Sequence, residues 1–482
     1  MIFILSFLIY DHISLRSLWL DEAAVANVIS NPISNLLEKA IIDGHHLSYI
    51  FPIKIWSLIF GDSETSLRLY SSIWTVLLII LIYKAGKYFF NSKKVGTIAA
   101  LLASTSYFLV WYSIQVRPYT QATFTGLAST YYFVKCIRDK KKINEILYTF
   151  FTIIGIYNHT WLILIFFSQI FFIFIQRKKI ASKKSIYVCQ AISSIFMIPY
   201  LFILRKQSGL GINTWIDKPD FLILVESLKY LCYGLVLPYL VTTLIGYFTL
   251  ISKSQLDKPK DKLINTLLIF YLFIPLISAF LVSQFIPAYV AGRYEIVVLP
   301  ALILLLAKFW SLIDSKILLV VFIIIFFLTY NKVLAEKKEI LNYKSTDKTV
   351  ATSILEETHE NDLIITTDLS YATFNYYLNH LNDEQKSSDI VSFPSCISEH
   401  GGWKNQTKME ENLHIYEKEA EDLLKHIENN DIENIWLIYN IDDNLVNKLI
   451  LDKIETNFSL VDSIKPEEPR QPAWFDEVYH FR

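Results

Sequence analysis

Over residues 1–331 the chain alternates long apolar runs with short polar breaks, and then it changes character. A helix needs about 20 apolar residues to cross a hydrocarbon core of roughly 30 Å. Runs of that order lie near 67–90, 95–112, 119–137, 186–204, 234–251, 264–283, 295–312 and 316–331. The stretch 146–176 is too long for one crossing and divides at Tyr157-Asn158-His159, which predicts two helices joined by a tight polar turn. The opening run, 1–10, is about half a span at about 1.5 Å per residue. It lacks the basic start and small-residue cleavage site of a signal peptide, so it reads as a first transmembrane helix, clipped or begun too late. Residues 47–60 are short and carry Pro52 and Lys54, which suits an interfacial or re-entrant helix.

After residue 331 the pattern is that of an ordinary soluble domain. Residues 362–367 and 434–439 read as strands and 478–481 as a last short one, with helices over 372–379, 418–429 and 444–456. Such alternation predicts a small layered α/β sheet. The expected fold is therefore mainly α: a bundle of about eleven transmembrane helices followed by a small C-terminal α/β domain. The division expected is 1–331, including an outer loop over 11–66, and 332–482.

Charge orients the bundle. Basic residues gather at Lys93-Lys94, at 138–142, at 177–184 and at 253–262, and they alternate with breaks poor in Lys and Arg near 113–118, 158–160, 205–233 and 284–294. Placing the basic loops in the cytoplasm satisfies every break and puts the C-terminal domain outside, in the bacterial case on the far side of the inner (plasma) membrane. Only 19% of residues are charged, fewer than a soluble protein carries. The four cysteines form no CxxC pair, and only Cys396 lies in the soluble domain, which rules out an internal disulfide there.

The chemistry concentrates in the outward breaks. The 11–66 loop holds Ser17-Leu18-Trp19-Leu20-Asp21-Glu22-Ala23, then an amphipathic helix after Asn31-Pro32, then Asp43-Gly44-His45-His46. Asp21 can be the cap of a helix beginning at Glu22, or a general base whose proton affinity is raised by partial desolvation near the headgroups. The two roles are compatible. His45 and His46 can orient a substrate, join the carboxylates around a metal, or sit solvated at the interface. Arg117, Arg293 and His159 lie beside membrane ends. Each arginine can snorkel to the interface, yet arginine is disfavoured outside, and a guanidinium fork suits an anionic lipid phosphate.

The ordered set SLWLDEA at 17–23, HHLSYIFPIKIWSLIFGDSETSLRL at 45–69, YSIQVRPYTQA at 112–122, YNHT at 157–160 and AGRYEIVVLP at 291–300 resembles the GT-C-type integral membrane glycosyltransferases, in the branch of the protein O-mannosyltransferases and the aminoarabinose transferase. The resemblance covers about the first 310 residues. It implies a sugar donor carried on polyprenyl phosphate and transferred outside the membrane to an acceptor hydroxyl on protein, lipid or glycan. It casts Asp21 as base, Glu22 as its positioning neighbour, and Arg117 and Arg293 as ligands of the donor phosphate. His45, His46, Tyr119, His159 and Tyr294 become substrate-binding candidates. No cofactor is required; a divalent metal is left open, and nucleic acid is not an expected partner. The soluble domain departs from the resemblance, and its expected role is to dock the acceptor or to stabilise the outer face. Two other classes compete. A flippase of lipid-linked sugars calls for ionisable groups in mid-span and paired repeats, and a non-catalytic scaffold leaves the elaborate 11–66 loop without a purpose.

Overall fold

The computed structural model describes residues 13, 17–180, 183–210, 216–232, 259–342, 347–382, 389–400, 406–440, 444–464 and 476–482. The expected spans near 1–10 and 234–251 lie outside these. In chain order the first helices are α1 (Leu20–Ser30), α2 (Ile33–Ile42), α3 (Leu47–Phe60), α4 (Glu64–Phe90), α5 (Lys93–Ser104), α6 (Tyr107–Ser113), α7 (Tyr119–Asp139) and α8 (Lys142–Asn158). They are followed by α9 (Trp161–Gln176), α10 (Lys183–Gly209), α11 (Leu222–Cys232), α12 (Pro259–Ser283), a 3-10 turn (Tyr294–Val298), α13 (Leu299–Trp310) and α14 (Ser315–Asn342). The break expected inside 146–176 falls between α8 and α9. The run 95–112 is not one straight helix: α5 and α6 meet at a bend of 58°. Residues 295–312 begin with the 3-10 turn, and α14 carries the chain past residue 331 without a break.

Four of the described helices, within α4, α10, α12 and α14, are long and apolar enough to cross a membrane, and a fifth crossing is formed if α5 and α6 count as one broken span. This makes the chain an integral membrane protein. The count of about eleven expected from the sequence is not reached by these criteria, because several apolar helices, such as α9, are shorter than a full crossing.

The chain forms two compact units: 1–14, 46–205 and 216–337 make the first, and 15–45, 206–215 and 338–482 the second. In the first, α4 and α5 approach backbone to backbone. A Cβ on Gly86 would lie 2.9 Å from the Cα of Gly96, and one on Gly96 would lie 2.7 Å from the carbonyl oxygen of Tyr83. Small residues permit this closeness, and van der Waals packing is the main attraction available between helices in lipid. Polar side chains add fixed points. Gln169 on α9 donates to Ser129 and Thr130 on α7, each at 3.1 Å, and Ser129 shares a 2.8 Å hydrogen bond with Thr152 on α8. Gln121 on α7 accepts from the Tyr70 hydroxyl of α4 at 2.9 Å and donates to the Ser48 carbonyl of α3 at 2.7 Å.

The second unit continues with α15 (Asp347–Glu357), β1 (Leu363–Thr367), α16 (Ser370–Leu381) and β2 (Asp389–Phe393). After short helices α17 (Cys396–His400) and α18 (Gln406–Glu411) come α19 (Leu413–Asn429), β3 (Ile435–Asn440), α20 (Leu445–Asn457), β4 (Leu460–Ile464) and β5 (Asp476–Phe481). The sheet order is β2-β1-β3-β5-β4, parallel across β2, β1 and β3 and antiparallel for the rest. β1 and β3 are buried along their whole length, as central parallel strands covered on both faces are. One face packs Leu363, Ile365 and Leu437 against Ala420 and Ile427 of α19 and Ile450 and Ile454 of α20.

The start of the chain is built into this same unit. The Leu18 N–H donates to the Tyr377 hydroxyl of α16 at 2.6 Å, Asn27 donates to the Ala372 carbonyl at 2.8 Å, and Asn375 donates to the Asn27 amide oxygen at 3.1 Å. Thus α1, 345 residues away in sequence from its partner Ala372, is a structural part of the sheet domain.

Gly96→Leu should cost at least the 1–3 kcal/mol, roughly, of an overpacked contact, since the groups that must yield are backbone. Gly209→Ala, where an added Cβ meets nothing within 4 Å, is the control. Equal thermal stability of the two variants in detergent would refute the close helix approach.

Candidate functional site

The acidic candidates stand on α1. Its sequence, LDEAAVANVIS, combines helix-favouring alanines with two acids in the first turn, where the helix dipole favours negative charge. The helix begins two residues earlier than the capping role of Asp21 requires. Trp19 occupies the N-cap, so Asp21 lies inside the first turn and does not cap the helix. Glu22 does the anchoring: its Oε2 accepts the Trp19 N–H at 3.3 Å. Asp21 is 2% exposed and Glu22 is fully buried. His45 belongs to this unit as well. It is buried, and its N–H donates to the Ala40 carbonyl at 2.8 Å.

The first unit gathers most of the remaining candidates from four separate stretches of sequence. His46 is the N-cap of α3 and His159 sits in the turn between α8 and α9, with ring centroids 4.9 Å apart. Tyr294 lies 4.9 Å from His159, and Tyr119 lies 5.9 Å from His159 and 6.2 Å from Tyr294. The Arg117 guanidinium donates to the Tyr119 hydroxyl at 3.4 Å and stands 5.6 Å from the centre of its ring, a cation–π arrangement. Arg293 precedes Tyr294 on a turn held by a buried carboxylate: Glu295 accepts the N–H groups of Gly292 at 2.6 Å and Arg293 at 3.1 Å. Gly292 has φ +79°, a left-handed conformation that a glycine adopts without penalty. Its carbonyl accepts from the Tyr112 hydroxyl at 2.6 Å.

Both histidines of the cluster are neutral. Burial, reinforced by the Arg117 charge, lowers His46 to about 3. Burial, then His46 and Arg117, hold His159 well below the ordinary imidazole range. The Nδ1 of His159 accepts the Trp161 N–H at 3.2 Å, so the proton of this neutral ring is on Nε2 and that nitrogen is a donor. His46 Nδ1 shares a 3.2 Å hydrogen bond with the Tyr200 hydroxyl of α10. The cluster therefore sets a half-buried arginine beside neutral hydrogen-bonding rings, an environment suited to an anionic group.

Several participants lacked a signal in the sequence. Tyr200 lies within an apolar helix and reaches His46 only through folding. Glu295 looked like one more helix residue, and its burial gives it away only in the structure. Asn158 lay in the YNHT motif without a role. It is fully buried, and neither its Oδ1 nor its Nδ2 has a hydrogen-bond partner among the described residues. Among those residues no group of three or more His, Cys, Asp or Glu is placed to hold a metal ion. A cavity of about 630 Å³ lies in the second unit at the ends of β1, β3 and β5, lined by residues including Glu357, Glu360, Asp431, Glu433 and His480; it contains none of the sequence candidates.

Residues 46–203 match the family described as dolichyl-phosphate-mannose-protein mannosyltransferase. The match begins at His46 and takes in Arg117, Tyr119 and His159, but not Asp21, Glu22, Arg293 or Tyr294. The fold is similar to that of ArnT from Cupriavidus metallidurans. Against its crystal structure in the apo state the TM-score is 0.62 at 10% identity, covering 98% of this chain and 95% of that one. Against the same protein bound to undecaprenyl phosphate the TM-score is 0.62 at 10% identity, covering 99% and 96%. No curated protein sequence matches the chain. The resemblance read from the ordered motifs thus agrees with both the matching family and the shared fold.

Asp43, at the C-terminal end of α2, provides a pH test of the second unit. Burial raises its carboxyl to about 7, with Lys39 opposing the shift. A carboxyl raised on folding favours the native state below its unfolded value near 3.8, and that contribution disappears as pH rises through about 7. Asp43→Asn should therefore be more stable than the parent at pH 8, by at least about 1.4 kcal/mol, the equivalent of one pH unit. The difference should be absent at low pH. Parallel melting curves for parent and variant from pH 4 to pH 8 would contradict this.

Proposed function

We propose that this protein transfers a sugar from a polyprenyl-phosphate donor to an acceptor hydroxyl at the outer face of the membrane. What carries the reading is the convergence of Arg117, Tyr119, His46, His159 and Tyr294 in the first unit, all but Tyr294 within residues 46–203, which match the family described as dolichyl-phosphate-mannose-protein mannosyltransferase. The shared fold with ArnT, one structure of which is bound to undecaprenyl phosphate, supports a polyprenyl-phosphate ligand.

In this mechanism the acceptor oxygen bonds to the anomeric carbon while its proton passes to Asp21. The bond from that carbon to the phosphate oxygen breaks, and its electron pair leaves with the lipid phosphate. Charge develops at two places, so two devices are needed. A carboxylate serves the nucleophile side of an oxocarbenium-like state, and fixed positive charge serves the departing phosphate. Arg117 and Arg293 supply the second. The neutral histidines add N–H donors without adding charge, which leaves the arginines as the determinants of anion affinity. Glu22 keeps the start of α1 in place for Asp21 through its bond to Trp19. His45, which is buried, is assigned to substrate binding. A lipid-borne donor also accounts for the membrane-embedded design, because most of such a substrate is hydrocarbon.

Asp21→Asn should lower transfer by roughly 10²–10⁴-fold in reconstituted membranes while the protein folds and binds donor normally; full activity would remove the base from the mechanism. Arg117→Ala and Arg293→Ala should each weaken binding of undecaprenyl phosphate by about ten- to a hundredfold, the value of a hydrogen bond to a charged group. Unchanged affinity in both would eliminate phosphate recognition at this cluster. For the orientation, a membrane-impermeant maleimide should label Cys396, which is a free, half-buried thiol, from outside intact cells. Labelling only after permeabilisation would reverse the assigned topology.

A further inference from the structure

We propose that Asn158 binds the glycosyl group of the donor, accepting a hydrogen bond from one sugar hydroxyl and donating one to its neighbour; this assignment rests on the transferase reading above. The position of Asn158 follows from the register of α7 against α8. The rings of Phe133 and Tyr148 lie 5.4 Å apart, Ser129 meets Thr152 at 2.8 Å, and a Cβ on Gly155 would lie 3.6 Å from the Thr125 hydroxyl. One further turn along the antiparallel pair brings residue 158 level with the first turn of α7, which carries Tyr119 and Gln121. That is the level of the histidine and tyrosine cluster, because His159 is 5.9 Å from Tyr119 and 4.9 Å from His46.

Two carboxamides therefore stand at one level of the bundle, and their states differ. Both ends of Gln121 are engaged, by Tyr70 and by the Ser48 carbonyl. Both ends of Asn158 lack a partner among the described residues, although the residue is fully buried. Buried polar groups are almost always paired, so an amide open at both ends is matched to a ligand that both donates and accepts. A phosphate oxygen only accepts and would leave the amide oxygen unsatisfied, and a lipid tail satisfies neither end. Neighbouring hydroxyls on a pyranose satisfy both. Phosphate recognition by the arginines and sugar recognition by Asn158 are then separate contributions to donor affinity.

The test uses the full-length chain in lipid nanodiscs, with Asn158→Leu as the variant of similar size. The probes are undecaprenyl phosphate and its mannosyl and glucosyl derivatives. In the parent protein at least one sugar should strengthen binding over the bare phosphate. Asn158→Leu should leave affinity for the bare phosphate unchanged, abolish a ten- to a hundredfold share, roughly, of the sugar-dependent gain, and melt at the same temperature as the parent or above it. A melting temperature lowered by several degrees would mean that the amide is structural, and a sugar-dependent gain kept in the variant would mean that it does not touch the sugar. Either result overturns the proposal. A parent that binds undecaprenyl phosphate but gains nothing from either sugar overturns the Asn158 assignment alone. A parent that does not bind undecaprenyl phosphate at all removes the transferase reading together with it.

Discussion

The carboxamide of Gln121 is the fixed point of the first unit. It ties the start of α7 to α4 through the Tyr70 hydroxyl and to α3 through the Ser48 carbonyl. Between apolar helices in lipid no hydrophobic force favours one arrangement over another, so packing and interhelical hydrogen bonds set position. Several groups proposed for the donor hang from the ends of these helices. His46 caps α3, Tyr119 opens α7, and Arg117 precedes it by two residues. Loss of this bond would leave each helix intact and displace the groups relative to one another.

Around that point the protein holds few formal charges. Arg117 stands over the Tyr119 ring, and the two histidines that could share its positive charge are kept neutral by burial and by Arg117 itself. The hydrogen bond from Trp161 N–H fixes which nitrogen of His159 carries the proton. A half-buried cation beside neutral dipoles attracts an anion more strongly than the same cation in water would, since screening is weaker there.

The second unit handles its acids differently. Asp21 and Glu22 are carried on a rigid helix, and that helix is bonded to α16 of the sheet domain at Leu18, Asn27 and Asn375. Sites built on regular elements are held more accurately than sites on loops. An N-terminal segment that could have been a free outer loop is instead positioned by residues near 372–377.

The sequence determined what is local. Hydrophobic runs placed the helices because burial in lipid or in a core demands apolar length, and the polar interruption at Asn158-His159 located the break between α8 and α9. The runs at 363–367 and 435–440 are strands because each is short, apolar and bounded by turns. The ordered motifs were enough to point to the family that residues 46–203 match and to the fold shared with ArnT. Tertiary structure decided what depends on distant partners. The adjacent residues His45 and His46 fall in different units, a division invisible in the dipeptide. The bend between α5 and α6 falls at Ser104-Thr105-Ser106, hydroxyl residues that a continuous helix also accommodates by bonding back to its own carbonyls. Gln121 and Asn158 are both amides at helix ends, yet one is fully engaged and the other open. That difference is set by which atoms the folded chain brings within about 3 Å, and no local pattern encodes it.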